Sequence, residues 1–135
     1  MRSRGAIALL PALAAAAAAT AGSAASPTHC QAKSIGPGSL RRGGTTGAAC
    51  LLAAFRDGCR PADYMLSQFG VDTIHSLTFA TRRRSSGCTV LVTESFRVVP
   101  QRPRVTGRYV CLRLRPLAAE RCTPSRTISL TTIGG

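Results

Sequence analysis

The chain has 135 residues and is strongly basic, with 18 Lys and Arg, 5 Asp and Glu, and a formal net charge of +13. This length predicts a single domain. The six cysteines indicate a disulfide framework rather than a metal site, because the chain has no Cys-x-x-Cys pair. The charge favours attraction to polyanions, although arginine supplies nearly all of it, and a bias of this kind is also typical of a high-GC genome.

The first 25 residues have the pattern of a secretory signal peptide. Arg2 and Arg4 form a positive n-region, and an apolar run of Ala and Leu follows before a group of small residues. The run is short for a membrane span and alanine is only weakly apolar, so a cleaved signal is favoured over an anchor. We therefore predict a secreted, extracellular protein cut after Ala25, with the bond after Ala21 as the alternative. Loss of the two arginines lowers the charge from +13 to +11.

The mature chain is predicted to begin with an irregular, glycine-rich arm at residues 26–46, held at Cys30. A single α+β domain is expected at residues 47–135. Its best helix runs from Thr46 to Asp57, where apolar residues recur at i, i+3, i+4 and i+7. Gly58 follows in the position of a left-handed C-terminal residue.

The rest of the chain is predicted to be mainly strands. Residues 60–69 fit either a second short helix, with Pro61 at its first position, or an irregular strand. Period-two alternation then predicts strands at Val71–Thr81, Cys88–Val99, Tyr109–Arg115 and Ile128–Ile133. Hairpin-length connections favour antiparallel pairing. The predicted fold class is therefore α+β, with one or two N-terminal helices packed on a disulfide-stapled, four-stranded antiparallel meander.

This order of elements resembles the cystatin-like and NTF2-like arrangements, in which a helix precedes an antiparallel meander. For a cystatin, the resemblance implies an inhibitory loop of the form Gln-x-Val-x-Gly. The corresponding segment, Gln101 to Gly107, reads QRPRVTG and is two residues too long. The inhibitory function is therefore not carried over to this chain.

Geometry reduces the 15 possible disulfide connectivities to one preferred set. Cys50 and Cys59 are separated by about 13 Å of helix rise, whereas a disulfide needs about 5–6 Å between Cα atoms. Cys88 is expected to face the core and Cys111 the outer side of the sheet, which disfavours a bond between them. The predicted bonds are Cys30–Cys50, Cys59–Cys88 and Cys111–Cys122.

Arginines provide the candidate binding residues. Alternation predicts that some lie on the outward face of two adjacent strands and that others extend this face at one hairpin end. The candidates are Arg97, Arg113 and Arg115 on the face, and Arg82, Arg83 and Arg84 at the hairpin. Such a face suits an anionic polymer or a cell-surface polyanion, such as nucleic acid, teichoic acid or a heparin-like polymer. The alternative is a solvated face, and the shortage of outward aromatic residues disfavours single-stranded nucleic acid.

Catalysis is the less favoured interpretation, because neither Gly-x-Ser-x-Gly nor His-Glu-x-x-His occurs. Glu94 is inward by parity, and a buried carboxylate is a functional candidate, although such a residue more often pairs with an arginine. No cofactor and no metal are expected. We therefore expect a non-catalytic binding domain. The alternatives are a protease inhibitor or other protein-binding module that uses the Pro100–Gly107 loop, and a small hydrolase that uses Glu94 or His75.

Overall fold

A computed structural model describes residues 25–36 and 46–133 of the chain. The predicted signal peptide, apart from its last residue, lies outside these ranges, as do residues 37–45 of the predicted arm and the last two residues. The described part is mostly β, with eight strands in two sheets and one short helix.

The elements follow one another closely along the chain. They are β1 (Thr28–His29), β2 (Lys33–Ile35), α1 (Thr46–Arg56), β3 (Ala62–Phe69), β4 (Thr73–Arg84), β5 (Gly87–Val98), β6 (Arg104–Cys111), β7 (Ala119–Cys122) and β8 (Arg126–Ser129). Strands β3 to β6 form an antiparallel meander, to which β1 and β2 add in parallel along β3. Strands β7 and β8 pair with each other in a separate two-stranded sheet.

The predicted fold class, one or two helices on a four-stranded meander, is therefore wrong. Residues 60–69 contain strand β3 instead of a second helix, and β3 pairs with β4 from Asp63–Ala80 to Phe69–Ile74. Tyr64 and Leu66 are buried in this strand while Met65 between them is exposed, which is the period-two pattern of a sheet. The apolar residues of this segment also satisfy a helical spacing, and the long pairing with β4 decides between the two.

Two further segments differ from the prediction. The expected fourth strand at Ile128–Ile133 does not join the meander, because β8 covers Arg126–Ser129 and pairs only with β7. The arm expected to be irregular contains β1 and β2 in its described residues. Their backbone groups find partners along the free edge of β3, which satisfies hydrogen bonds that an isolated arm would leave to water.

The parity predicted for the strand at Tyr109–Arg115 is also wrong. This strand is β6, which ends at Cys111, and Cys111 pairs with the buried Val90. Cys111, which was expected on the outer side, is only 1% exposed, whereas the next residue, Leu112, is 68% exposed. A cysteine in a disulfide is apolar, so the inward position suits it.

The hydrophobic core lies between α1 and one face of the meander, here named the inner face. The helix contacts β3, β4 and β5. Leu51 of α1 is fully buried together with Phe79 and Val92 of the sheet. The opposite, outer face carries small hydroxyl side chains, including Ser67 and Ser76, whose oxygens are 2.8 Å apart. This face forms one wall of an open groove of about 350 Å³.

The three disulfides join the pairs predicted from the sequence, with Cα separations between 4.4 and 5.7 Å. The Cys30–Cys50 bond links the arm to α1. The Cys59–Cys88 bond links the end of α1 to the start of β5, and the Cys111–Cys122 bond links β6 to β7. Only the argument from the parity of Cys111 fails, because this cysteine faces the core.

Replacing Cys59 and Cys88 together with alanine is expected to lower the free energy of unfolding by about 2–4 kcal/mol, because the unfolded chain regains the entropy of a closed loop. Urea denaturation of the oxidised proteins measures the change. Ser86→Ala in the exposed hairpin turn is the control and should stay within about 0.5 kcal/mol of the parent. Equal stability of the parent and the double variant would contradict this bond.

Candidate functional site

The arginine face predicted from alternation is not formed. Arg97 lies near the end of β5, where its register partner is Ile74. Strand β6 ends at Cys111, so Arg113 and Arg115 lie beyond it. Since Cys111 pairs with Val90, seven residues before Arg97, about 23 Å of strand separates the two groups. Arg115 is also engaged, because its guanidinium forms an ion pair with Glu120.

The hairpin end, in contrast, brings arginines together with a residue of the helix. A cleft of about 420 Å³ opens between the C-terminal end of α1 and the β4–β5 hairpin. We name it the basic cleft, because Arg56, Arg83 and Arg84 line it. The Cys59–Cys88 disulfide lines it as well and joins its two walls.

The chain reversal after α1 builds one wall of the basic cleft. Gly58 and Cys59 both have left-handed backbone angles, with φ of 75° and 54°, which turn the chain back toward the sheet. Arg56 occupies the last turn of the helix, where a positive charge interacts favourably with the helix dipole. Arg83 of β4 donates a hydrogen bond to the carbonyl oxygen of Gly58, which holds its guanidinium at the cleft.

The charge of the basic cleft is not compensated within the described residues. None of its lining residues is acidic, and none of its three arginines forms an ion pair there. Asp57, which is adjacent in sequence to Arg56, is held instead by Arg60 at 3.3 Å. Three uncompensated guanidinium groups in one concave site suit a phosphate, sulfate or carboxylate group, which arginine binds with paired N–H donors.

A second polar cluster lies on the inner face around Glu94, which is 7% exposed. His75 of β4 donates from Nε2 to Oε1 of this carboxylate at 2.7 Å. Arg126 of β8 donates to the same oxygen at 3.1 Å, and the hydroxyl of Tyr109 donates to Oε2 at 3.0 Å. The cluster therefore connects three strands of the meander to the second sheet.

The Glu94 carboxylate is held in its ionised form. Burial alone would raise its pKa, but the hydrogen bonds from Tyr109 and His75 and the charge of Arg126 outweigh burial and lower the pKa. The hydrogen bond to Glu94 in turn raises the pKa of Tyr109, so that its hydroxyl remains a donor. A carboxylate with three donors is an anchor for its neighbours rather than a free base.

Gly107 makes room for this network. It pairs with Glu94 next to a register shift between Glu94 and Ser95, and a Cβ at this position would lie 2.2 Å from the Tyr109 hydroxyl oxygen. A glycine inside a strand is a sequence sign of such a close approach. Sequence reasoning missed Gly107, Tyr109 and Arg126 at this site and Arg56 at the basic cleft, because their partners are distant in the chain.

The surroundings of His75 and the structure of the Pro100–Gly107 segment, the two alternative sites, both differ from what was expected. His75 has no serine, threonine or cysteine as a hydrogen-bond partner in the described part of the chain, so a hydrolytic nucleophile is missing beside it. The Pro100–Gly107 segment was expected to be a loop, but Arg104–Gly107 belongs to β6 and pairs with β5. Only residues 99–103 connect the two strands.

Residues 25–36 and 46–133 contain no group of three or more side chains that could hold a metal ion. No helix within these ranges is long and apolar enough to cross a membrane.

Glu94→Ala should lower the free energy of unfolding at pH 7 by about 2–4 kcal/mol, because it removes the common partner of three side chains. The matched control is Asp72→Ala, which makes the same charge change at an exposed position and should cost less than about 0.5 kcal/mol. Chemical denaturation measures both variants. Equal losses would show that net charge, not the network, accounts for the effect.

The decrease in the free energy of unfolding caused by Glu94→Ala should also depend on pH. Because folding lowers the pKa of Glu94, its ionisation stabilises the fold fully above the unfolded value of about 4.3. This contribution disappears as the pH falls through the lower folded pKa. The difference between parent and variant should therefore shrink between pH 7 and pH 3, and a constant difference would contradict an ionised anchor.

Comparison of this chain with protein-family models, curated proteins and solved structures gave no match in any of the three. The cystatin-like and NTF2-like resemblance therefore gains no support. A function has to be inferred from the charge and geometry of the described residues.

Proposed function

We propose that this protein is a secreted, non-catalytic domain that binds an anionic polymer or surface, and that the basic cleft is its principal contact. The observation that carries the proposal is the convergence of Arg56, Arg83 and Arg84 in one cleft that no acidic residue lines. Arg82 precedes Arg83 and Arg84 on β4 and adds to the positive potential.

Export is supported by two independent features. All six cysteines are paired, and disulfides persist in oxidising compartments such as the extracellular space. The first 25 residues have the n-region, apolar run and small residues of a signal peptide. Cleavage after Ala25 leaves a mature protein with a net charge of +11, the +13 of the full chain less Arg2 and Arg4.

The basic cleft is preorganised for an anion. The Cys59–Cys88 bond fixes the distance between its walls, and the Gly58 carbonyl holds one edge of the Arg83 guanidinium. The order of Arg83 therefore does not have to be gained on binding, which favours affinity. Within the described residues, no hydrogen bond or ion pair engages the side chains of Arg56 and Arg84, so their N–H donors can contact a ligand. The volume admits a phosphate or sulfate group with part of the chain that carries it.

Replacing Arg56, Arg83 and Arg84 together with serine is expected to lower the salt concentration at which the mature protein leaves a heparin column. On duplex DNA, the slope of log affinity against log salt should fall by about 0.9 for each phosphate that the variant no longer neutralises, or by about 2–3 in total. Both measurements use the oxidised protein, and a denaturation curve verifies that the variant is folded.

The matched control replaces three exposed arginines outside the basic cleft: Arg108, Arg113 and Arg121. It removes the same charge and should change the slope much less. If the control loses as much retention as the cleft variant, binding depends on net charge alone and the basic cleft is not a site. Arg84→Ser alone gives a second test that keeps the Arg83–Gly58 hydrogen bond, and it should reduce the slope by about one.

A further inference from the structure

The end of the meander opposite the basic cleft exposes apolar side chains at the tips of two loops. Val71, in the turn between β3 and β4, is 94% exposed, and Val99, after β5, is 50% exposed. The backbone N–H of Val99 donates to the carbonyl oxygen of Asp72 at 2.8 Å, which holds the two tips side by side.

More apolar side chains surround these tips. Val98 pairs with Thr73, the first residue of β4, and Val105 pairs with Ser95 near the end of β5. Of the eight large hydrophobic residues that are exposed in the described part, five lie at this end: Val71, Phe96, Val98, Val99 and Val105. Single exposed apolar residues are ordinary, but a group at one end of a domain marks an interaction surface. We name this group the apolar end.

Arginines border the apolar end. Arg97 precedes Val98, Arg102 lies in the connection between β5 and β6, and Arg104 is the first residue of β6. None of the three is ion-paired within the described residues. Asp72 is the one acidic residue at these tips, so three positive charges face one negative charge and leave a local excess of two.

We propose that the apolar end docks on an anionic lipid surface. Protruding aliphatic tips can enter the boundary between headgroups and acyl chains, and arginines just behind them lie at the depth of the phosphates. This pairing of apolar burial with positive charge is what stable peripheral binding requires, because either contribution alone is weak. A protein partner is the competing occupant, but the two residues at the tips, Val71 and Val99, are aliphatic, whereas protein interfaces are usually centred on aromatic or arginine anchors.

Docking at the apolar end leaves the basic cleft accessible. Strand β4 runs from one end to the other, and its 12 residues span about 35–40 Å. Lipid and polyanion would therefore bind at opposite ends of the same hairpin. The apolar end is thus a second surface, which makes a different kind of contact from that of the basic cleft.

The test is cosedimentation of the mature, oxidised protein with phosphatidylcholine vesicles that either contain or lack phosphatidylglycerol. The parent should partition onto the vesicles with phosphatidylglycerol and much less onto the neutral ones. Val71→Ser with Val99→Ser should lower the partition coefficient about tenfold, because apolar burial at the tips is removed. Asp72→Asn should raise it up to about fivefold, since it removes the one negative charge.

Leu112→Ser with Leu117→Ser is the matched control, because these two residues are 68% and 83% exposed elsewhere on the surface. It should change partition less than about twofold. Equal losses in the two double variants would overturn the proposal, and so would vesicle binding that disappears only in the Arg56, Arg83 and Arg84 variant. In that second case the vesicle is bound as a polyanion at the basic cleft.

Heparin retention separates this inference from the proposed function. The Val71 and Val99 variant should keep the retention of the parent, because the basic cleft is unchanged. Val71 lies in a turn and both valines are exposed, so a denaturation midpoint close to that of the parent is expected and verifies folding. If the variant still binds vesicles but loses a protein partner, the apolar end is a protein interface and the lipid proposal fails.

Discussion

The pairing of β4 with β5 is the constraint on which the rest of this structure depends. It joins 12 residue pairs, from Thr73–Val98 to Arg84–Gly87, across a two-residue turn. Strands β3 and β6 add to its two edges and α1 covers its inner face. One end of the hairpin meets the chain reversal after α1, and the opposite end carries the apolar end.

The positions of the carboxylates explain why positive charge is concentrated in some parts of the surface. Four of the five acidic residues already contact an arginine or histidine side chain: Asp57, Asp63, Glu94 and Glu120. With these carboxylates engaged, the remaining arginines have few acidic neighbours, and their positions on the fold determine where the positive potential is concentrated. The buried Glu94 contributes to architecture, because it fixes Arg126 and hence the second sheet against the meander.

The disulfides and the Glu94 cluster stabilise different parts of a domain with a modest core. The three bonds attach the arm, the helix end and the β7 segment to the meander, while the cluster joins the inner face to β8. A small domain gains stability from such links because its buried area is limited. At the basic cleft, the Cys59–Cys88 bond also sets the geometry of the candidate site.

The sequence by itself determined the central hairpin and the helix at Thr46, because alternation and the helical period are local properties. It also predicted the three disulfide pairs, although its argument from the parity of Cys111 was wrong. Only the tertiary structure decided that residues 62–69 are a strand, that Cys111 faces inward, and which arginines meet. These outcomes depend on register and on pairing between distant segments, which a short window of sequence does not encode. Arg97 therefore lies far along β5 from Val90, the partner of Cys111, after which Arg113 follows. Arg56 and Arg83, in contrast, come together at a chain reversal that joins helix to sheet.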